Sequence, residues 1–182
     1  MSKPQLGENI GSTARAMKNF GIEKLRLIEP RDGWPNSSAY AISAGADDVL
    51  NKINVFKSLE EATKDISLLF ATTARKRVIG TKPLDVFEAI DKSFHHVVNG
   101  GQVGFLFGPE QSGLSNDDVV QADYTISIPL NQNFSSLNLS QAVLLICWEW
   151  NKVKMSHFKE DNLPIKVNKK LKKSTEISNV GD

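Results

Sequence analysis

Three short segments collect the residue types that a binding or catalytic site needs. They are Asn9-Ile-Gly11 followed by Arg15, Phe107-Gly-Pro-Glu-Gln-Ser-Gly-Leu114, and Ile128-Pro-Leu-Asn-Gln-Asn-Phe-Ser-Ser-Leu-Asn-Leu139. Each sets glycine or small polar residues beside an amide, carboxylate or guanidinium, so backbone can approach a ligand closely while one side chain orients it. The middle segment resembles a phosphate loop only in outline. Gly108 to Gly113 is not followed by the Lys-Ser/Thr pair that reaches phosphates and magnesium, which argues against nucleotide triphosphate hydrolysis. No G-x-G-x-x-G opens a helix after a strand, so the dinucleotide fingerprint is missing as well. Metal chemistry has little support, because His95 and His96 are adjacent, whereas helical zinc ligands recur three or four residues apart. They read as loop or helix-end residues. The single cysteine, Cys147, lies in an apolar run and reads as a buried reduced thiol.

The segments must be held by elements, and the hydrophobic pattern supplies them. Asn9 to Phe20 has helical periodicity closed by Gly21, and Leu25 to Ile28 reads as a short strand stopped by Pro30. Further helices are expected over Ser37 to Ala44 and Pro83 to Ile90, with a brief one capped by Ser115. Apolar strands are expected over Ser67 to Thr72, Gln102 to Phe107 and Tyr124 to Ile128. The longest helix is expected from Ser136 to Lys154. Strands alternating with helices, the central strands apolar on both faces, predict an α/β fold with a mainly parallel sheet covered on both sides. Ligands on such sheets bind outside the carboxyl ends of the strands, where the three segments fall.

At 182 residues and 40% apolar content the chain suits one domain. No window reaches the length of a membrane span and the start lacks a secretory core, so a cytoplasmic location is expected. Twenty-two basic residues against 21 acids give a formal charge of only +1, which does not advertise a nucleic-acid partner. Distribution says more: Arg75, Lys76 and Arg77 are contiguous, and lysines crowd the last thirty residues. We expect the ordered domain to cover 1–155, with 156–182 a Lys-rich flexible tail. Solvation or phosphate contact would suit that tail, and the same alternatives apply to Arg75 and Arg77.

Taken in order, the three segments resemble the motifs of the SpoU/TrmH branch of the SPOUT methyltransferases, over roughly residues 7–155. Within the branch, Thr72-Thr-Ala-Arg75, Ala44-Gly-Ala-Asp47 and the doubled Ser135-Ser136 look most like the TrmJ subfamily. The resemblance implies a C-terminal deep trefoil knot, a homodimer and an S-adenosyl-L-methionine-dependent ribose 2'-O-methylation of RNA. Its substrate would be tRNA, at a cytidine or uridine of the anticodon loop, or another structured RNA. It also implies donor contacts at Thr72, Thr73, Ala74, Gly108, Ile128, Ser135, Ser136 and Leu137, catalytic roles for Arg15, Glu110, Ser136 and Asn138, and RNA contacts at Arg15, Arg75 and Arg77. A ribose oxygen attacking a sulfonium methyl has a good leaving group already, so no metal is expected; the enzyme must chiefly hold the two atoms about 3–3.5 Å apart in line. Guanidinium has a pKa above about 12, so Arg15 suits a fixed cation for developing alkoxide and phosphate better than a proton acceptor.

Two features qualify this reading. Members of the branch begin with an apolar strand, whereas here only Met1-Ser-Lys-Pro-Gln-Leu6 precedes the first motif, and Lys3 and Pro4 make a poor buried strand. A non-catalytic RNA-binding or assembly protein on the same fold is the rival that this loss allows. The last expected helix carries Leu139, Val143, Ile146, Trp150 and Val153 as one apolar stripe, with Leu144 and Trp148 on a second face. A homodimer partner is the simplest cover for that second face.

Overall fold

A computed structural model describes residues 1–73 and 83–161. In chain order the elements are α1 (Gly7–Asn19), β1 (Arg26–Ile28), α2 (Ser37–Ile42), α3 (Asp47–Leu50), β2 (Asn54–Phe56) and α4 (Leu59–Thr63), then β3 (Leu68–Thr72), α5 (Val86–Val98), β4 (Val103–Leu106), α6 (Asn116–Val119), β5 (Tyr124–Ile126) and α7 (Leu139–Asp161). All strand pairs are parallel. β1 lies beside β2, and β3 lies between β4 and β5 with Phe70 opposite both Phe105 and Tyr124. The three rings stack across the strands at 5.3 and 5.7 Å between centroids.

The strands are apolar on both faces because each face has its own core. Leu27, Leu68 and Phe70 pack with Ile10, Ala14, Met17, Ile90 and Val143 from α1, α5 and α7. Their neighbours in sequence, Ile28, Leu69 and Ala71, turn the other way onto Leu59, Ala62 and Val119 of α4 and α6. The expected α/β arrangement, with helices on both faces of parallel strands, is what the structure contains.

The start of the chain departs from expectation. Met1 and Ser2 are buried and bridge β1 to β4. Ser2 N–H donates to the Phe107 carbonyl (2.7 Å), Lys3 N–H donates to Ile28 (2.8 Å), and Ile28 N–H donates to Met1 (2.9 Å). Ser2 thus forms an isolated parallel bridge with Ile28, and Met1–Lys3 joins the two sheets at one end. The poor strand-forming character of Lys3 and Pro4 sets where it stops: Lys3 already has φ of 47°.

The boundaries of three elements also differ. α5 begins at Val86 behind an Asp85–Glu88 capping box, and it continues to Val98 because Phe94 packs against Trp150 and His157 of α7. His95 and His96 thus sit in its last turn. β5 ends at Ile126, and α7 begins at Leu139, not at Ser136, and runs on through residue 161, past the boundary expected at 155. Its stripe is buried, Leu139, Val143, Ile146 and Val153 each at 7% exposure or less, while Leu144 and Trp148 of the second face are 39% and 49% exposed. Residues 162–182 of the expected tail, with Ala74, Arg75 and Arg77, lie outside the described residues. Among the described residues, no helix is long and apolar enough to cross a membrane.

Candidate active site

Beyond the carboxyl ends of β3, β4 and β5, three loops enclose a cleft of about 340 Å3. Thr72 and Thr73 enter it from the end of β3, Phe107 to Leu114 from the turn after β4, and Ile128 with Ser135, Ser136 and Leu137 from the segment before α7. Of the eight residues expected at the methyl donor, seven line this cleft and the eighth, Ala74, lies outside the described residues. Thr72 ties two walls together, its hydroxyl donating to the Leu106 carbonyl at 2.9 Å. Gly108 is buried, and a Cβ there would collide with the backbone of Gly113 and Leu114. The turn folds back on itself at that point, and only glycine permits it.

From Glu110, which lines the cleft, a chain of hydrogen bonds runs to Asn9 and Asn138, which do not line it, and so links the three motifs. Glu110 accepts from the backbone N–H of Gln5 (2.7 Å) and Leu6 (3.1 Å) and from the Asn9 amide (2.9 Å). The Asn138 amide donates in turn to Asn9 Oδ1 (2.9 Å). Asn138 Oδ1 then accepts from the backbone N–H of Ser140 (2.9 Å) and Gln141 (3.4 Å), capping α7. Partial burial pushes the Glu110 carboxyl upward, but the Asn9 amide and backbone donors outweigh it and hold the group below the usual glutamate range. Both its oxygens are occupied, so Glu110 serves as an anchor for α1 and is poorly placed to take a proton from a substrate.

Not every expected residue joins the cleft. Ser136 lines it, exposed at the rim, but Asn138 is not among the lining residues. Arg15 is not among the lining residues; with Glu8, Ser12 and Asn19 it occupies the outer face of α1 at helical spacing, and it is exposed. Gly11 has a packing role, since a Cβ there would overlap the Ala39 carbonyl of α2. The residue that sequence reasoning left without a role is Asn9. It is 6% exposed, among the apolar positions of α1, and a polar side chain on a helix's buried face was the signal that it holds a partner.

Comparison with known proteins agrees with this geometry. The model of the SpoU rRNA Methylase family matches residues 1–148. The tRNA (cytidine/uridine/adenosine-2'-O-)-methyltransferase TrmJ of Pseudomonas aeruginosa is 36% identical over 161 residues, covering 88% of this chain and 61% of that protein. Among solved structures, TrmJ from Z. mobilis is 50% identical with a TM-score of 0.75, over 83% of this chain and 66% of that one. A probable methyltransferase from Bordetella pertussis is 37% identical with a TM-score of 0.77, over 84% and 92%. The chain spans about 54–61% of the length of the curated relatives it matches. A family model covering most of the chain and the relatives' identities together place this chain in the SpoU rRNA Methylase family.

Proposed function

We propose that this chain is the methyl-donor-binding domain of an S-adenosylmethionine-dependent tRNA 2'-O-methyltransferase, acting on a cytidine or uridine ribose of the anticodon loop. The observation that carries the reading is the cleft itself, where the end of β3 and two motifs far apart in sequence meet at the carboxyl ends of parallel strands, with the first motif tied to it through the Asn9–Glu110 hydrogen bond. The fit to adenosylmethionine rests on its chemistry. Tight loops with glycine at the closest approach, two threonines and an apolar wall from Ile128, Leu130 and Leu137 suit an adenosine with a polar amino-acid arm. Bound there, the donor supplies an electrophilic methyl on a sulfonium. The chain's own residues orient and enclose: the Glu110–Asn9–Asn138 hydrogen bonds lock α1, the turn after β4 and the start of α7 to one another.

Arg15 sets the assembly in this reading. It lies outside the cleft of its own chain, so a role at the ribose requires a second copy to present it, and the exposed Leu144–Trp148 face of α7 offers an apolar surface for that copy. We therefore include a homodimer and the family's trefoil knot in the proposal, with Arg15 as a fixed cation beside the developing alkoxide and, with Arg75 and Arg77, the RNA phosphates. No metal is required and a cytoplasmic site of action follows from the substrate. The test is calorimetry with adenosylmethionine and adenosylhomocysteine, alongside methyl transfer to tRNA followed by ribose-methylation mapping. Wild type should bind and transfer, while Arg15→Ala should bind the donor normally and lose most transfer. No binding of either ligand at concentrations far above micromolar would sink the reading.

A further inference from the structure

The segment between β5 and α7 leaves the wall of the cleft and returns to it. Ile128 and Leu130 line the cleft, and so do Ser135 and Ser136, but the four residues between Leu130 and Ser135 do not. Those four form a tight turn. Phe134 N–H donates to the Asn131 carbonyl (3.0 Å), and Asn133 N–H donates to Asn131 Oδ1 (2.9 Å). All four are exposed, and both stems of the turn belong to the wall, so its tip stands at the mouth of the cleft.

The side chain at that tip does not serve the fold. Phe134 is 72% exposed, more than any other aromatic residue among the described ones, and it belongs to neither apolar core. A lone apolar side chain at a surface is ordinary, and the exposed rings of Phe87 and Trp148 lie on helices whose other faces are buried. Phe134 has no such helix to account for it. It stands among exposed amides and hydroxyls, on backbone that two hydrogen bonds already fix, so a flat partner can settle on the ring without first ordering the loop. A preset aromatic face surrounded by polar groups is how proteins hold an unstacked base of RNA.

We propose that Phe134 stacks on the base of the nucleotide whose ribose is methylated, which makes it a positioning residue for the RNA. The inference rests on the methyl-transfer reading. The base is bonded to C1', next to the carbon that carries the attacking 2'-oxygen, so a ribose that delivers this oxygen into the cleft leaves its base at the mouth. A base placed there has lost its neighbours in the RNA stack, and the exposed ring restores part of what was lost. Every base has a π-face, so this contact admits cytidine and uridine alike and holds the nucleotide without reading it. Phe134 has no group that moves a proton. Its contribution is orientation, keeping the 2'-oxygen in line with the methyl.

The test compares wild type, Phe134→Ala and Phe134→Tyr in single-turnover transfer to whole tRNA. At the nucleotide mapped as the target, the tRNA carries either its natural pyrimidine or an abasic ribose that keeps the 2'-hydroxyl. On the natural nucleotide, kcat/KM should fall roughly ten- to a hundredfold in Phe134→Ala and stay within about threefold of wild type in Phe134→Tyr, which keeps the ring. On the abasic ribose there is nothing to stack, so the alanine variant and wild type should agree within about twofold. Adenosylmethionine affinity, melting temperature and mass by light scattering should be those of wild type in both variants. An alanine penalty of equal size on the two RNAs would overturn the proposal, because a loop that only shapes the cleft produces it. So would full activity of Phe134→Ala on the natural nucleotide, or an altered mass, which would put the ring between copies of the chain. If wild type methylates no RNA, the methyl-transfer reading falls and takes this inference with it; wild-type transfer without an effect at Phe134 sinks the inference alone.

Discussion

β4 ends in two regions that treat their polar groups in opposite ways. On its carboxyl side, the Gly108 turn opens onto a cleft braced by the paired side chains of Glu110, Asn9 and Asn138. Along its other edge, β4 borders a cavity of about 400 Å3 that the buried Thr13 hydroxyl lines without a hydrogen-bond partner. The cleft is fixed in shape before any ligand arrives, so binding there need not order the loops. In the cavity, by contrast, a buried hydroxyl without a partner costs stability.

The contrast breaks most readily at Glu110. Glu110→Ala leaves two backbone N–H groups and the Asn9 amide without their acceptor, at a cost of about 3–4 kcal/mol measured by urea unfolding. If the variant were as stable as wild type, the cleft would not be knitted in the way described. Gly108→Ala follows, because a Cβ there meets backbone that cannot swing aside. We expect a loss of ~2–3 kcal/mol and at least a tenfold fall in adenosylmethionine affinity, read by thermal shift and calorimetry. Unchanged affinity would remove Gly108 from the ligand wall.

How much of this could be read in advance depends on what held each feature in place. β3, β4 and α7 were legible because burial on two faces or along one stripe writes itself into apolar spacing. α3, α4 and β2 were not, being four, five and three residues long, and β2 has two of its three residues exposed, so no periodicity marks them. The end of α5 was hidden because Phe94 and His157 meet only in three dimensions, at 4.2 Å. At the cleft, residue types and order pointed to two of the loops that line it, since backbone-lined sites need glycine and small polar residues. Sequence spacing on one helix said nothing of which way Arg15 faces relative to loops a hundred residues away.

Acid offers a test of intermediate size. Below about pH 4 stability falls, as carboxylates held low in the fold, Glu110 and Asp65, take up protons. Cys147, pushed up to about 12 by burial, stays a thiol throughout. Urea unfolding between about pH 7 and about pH 3 measures that loss, and a stability that did not fall would overturn the hydrogen bonding described for Glu110.

The smallest effect belongs to Asn138, and it separates two roles that one side chain holds. An ionised Glu110 can only accept, which turns the Asn9 amide nitrogen toward it and leaves Asn9 Oδ1 facing Asn138. Asn138 must then donate with its own nitrogen, and its oxygen is left to cap α7. Asn138→Asp keeps the cap and places negative charge at a helix N-terminus, which favours it by several tenths of a kcal/mol. The same change sets a carboxylate against Asn9 Oδ1 and removes a donor, which costs about 1–1.5 kcal/mol. The net expectation is a loss near 1 kcal/mol, larger when paired with Glu110→Gln only if the two sites act independently. In a double-mutant cycle by urea unfolding, coupling above about 0.5 kcal/mol supports one hydrogen-bonded unit. Strict additivity would mean that Asn138 caps α7 and nothing more, and that the cleft's two ends are held separately.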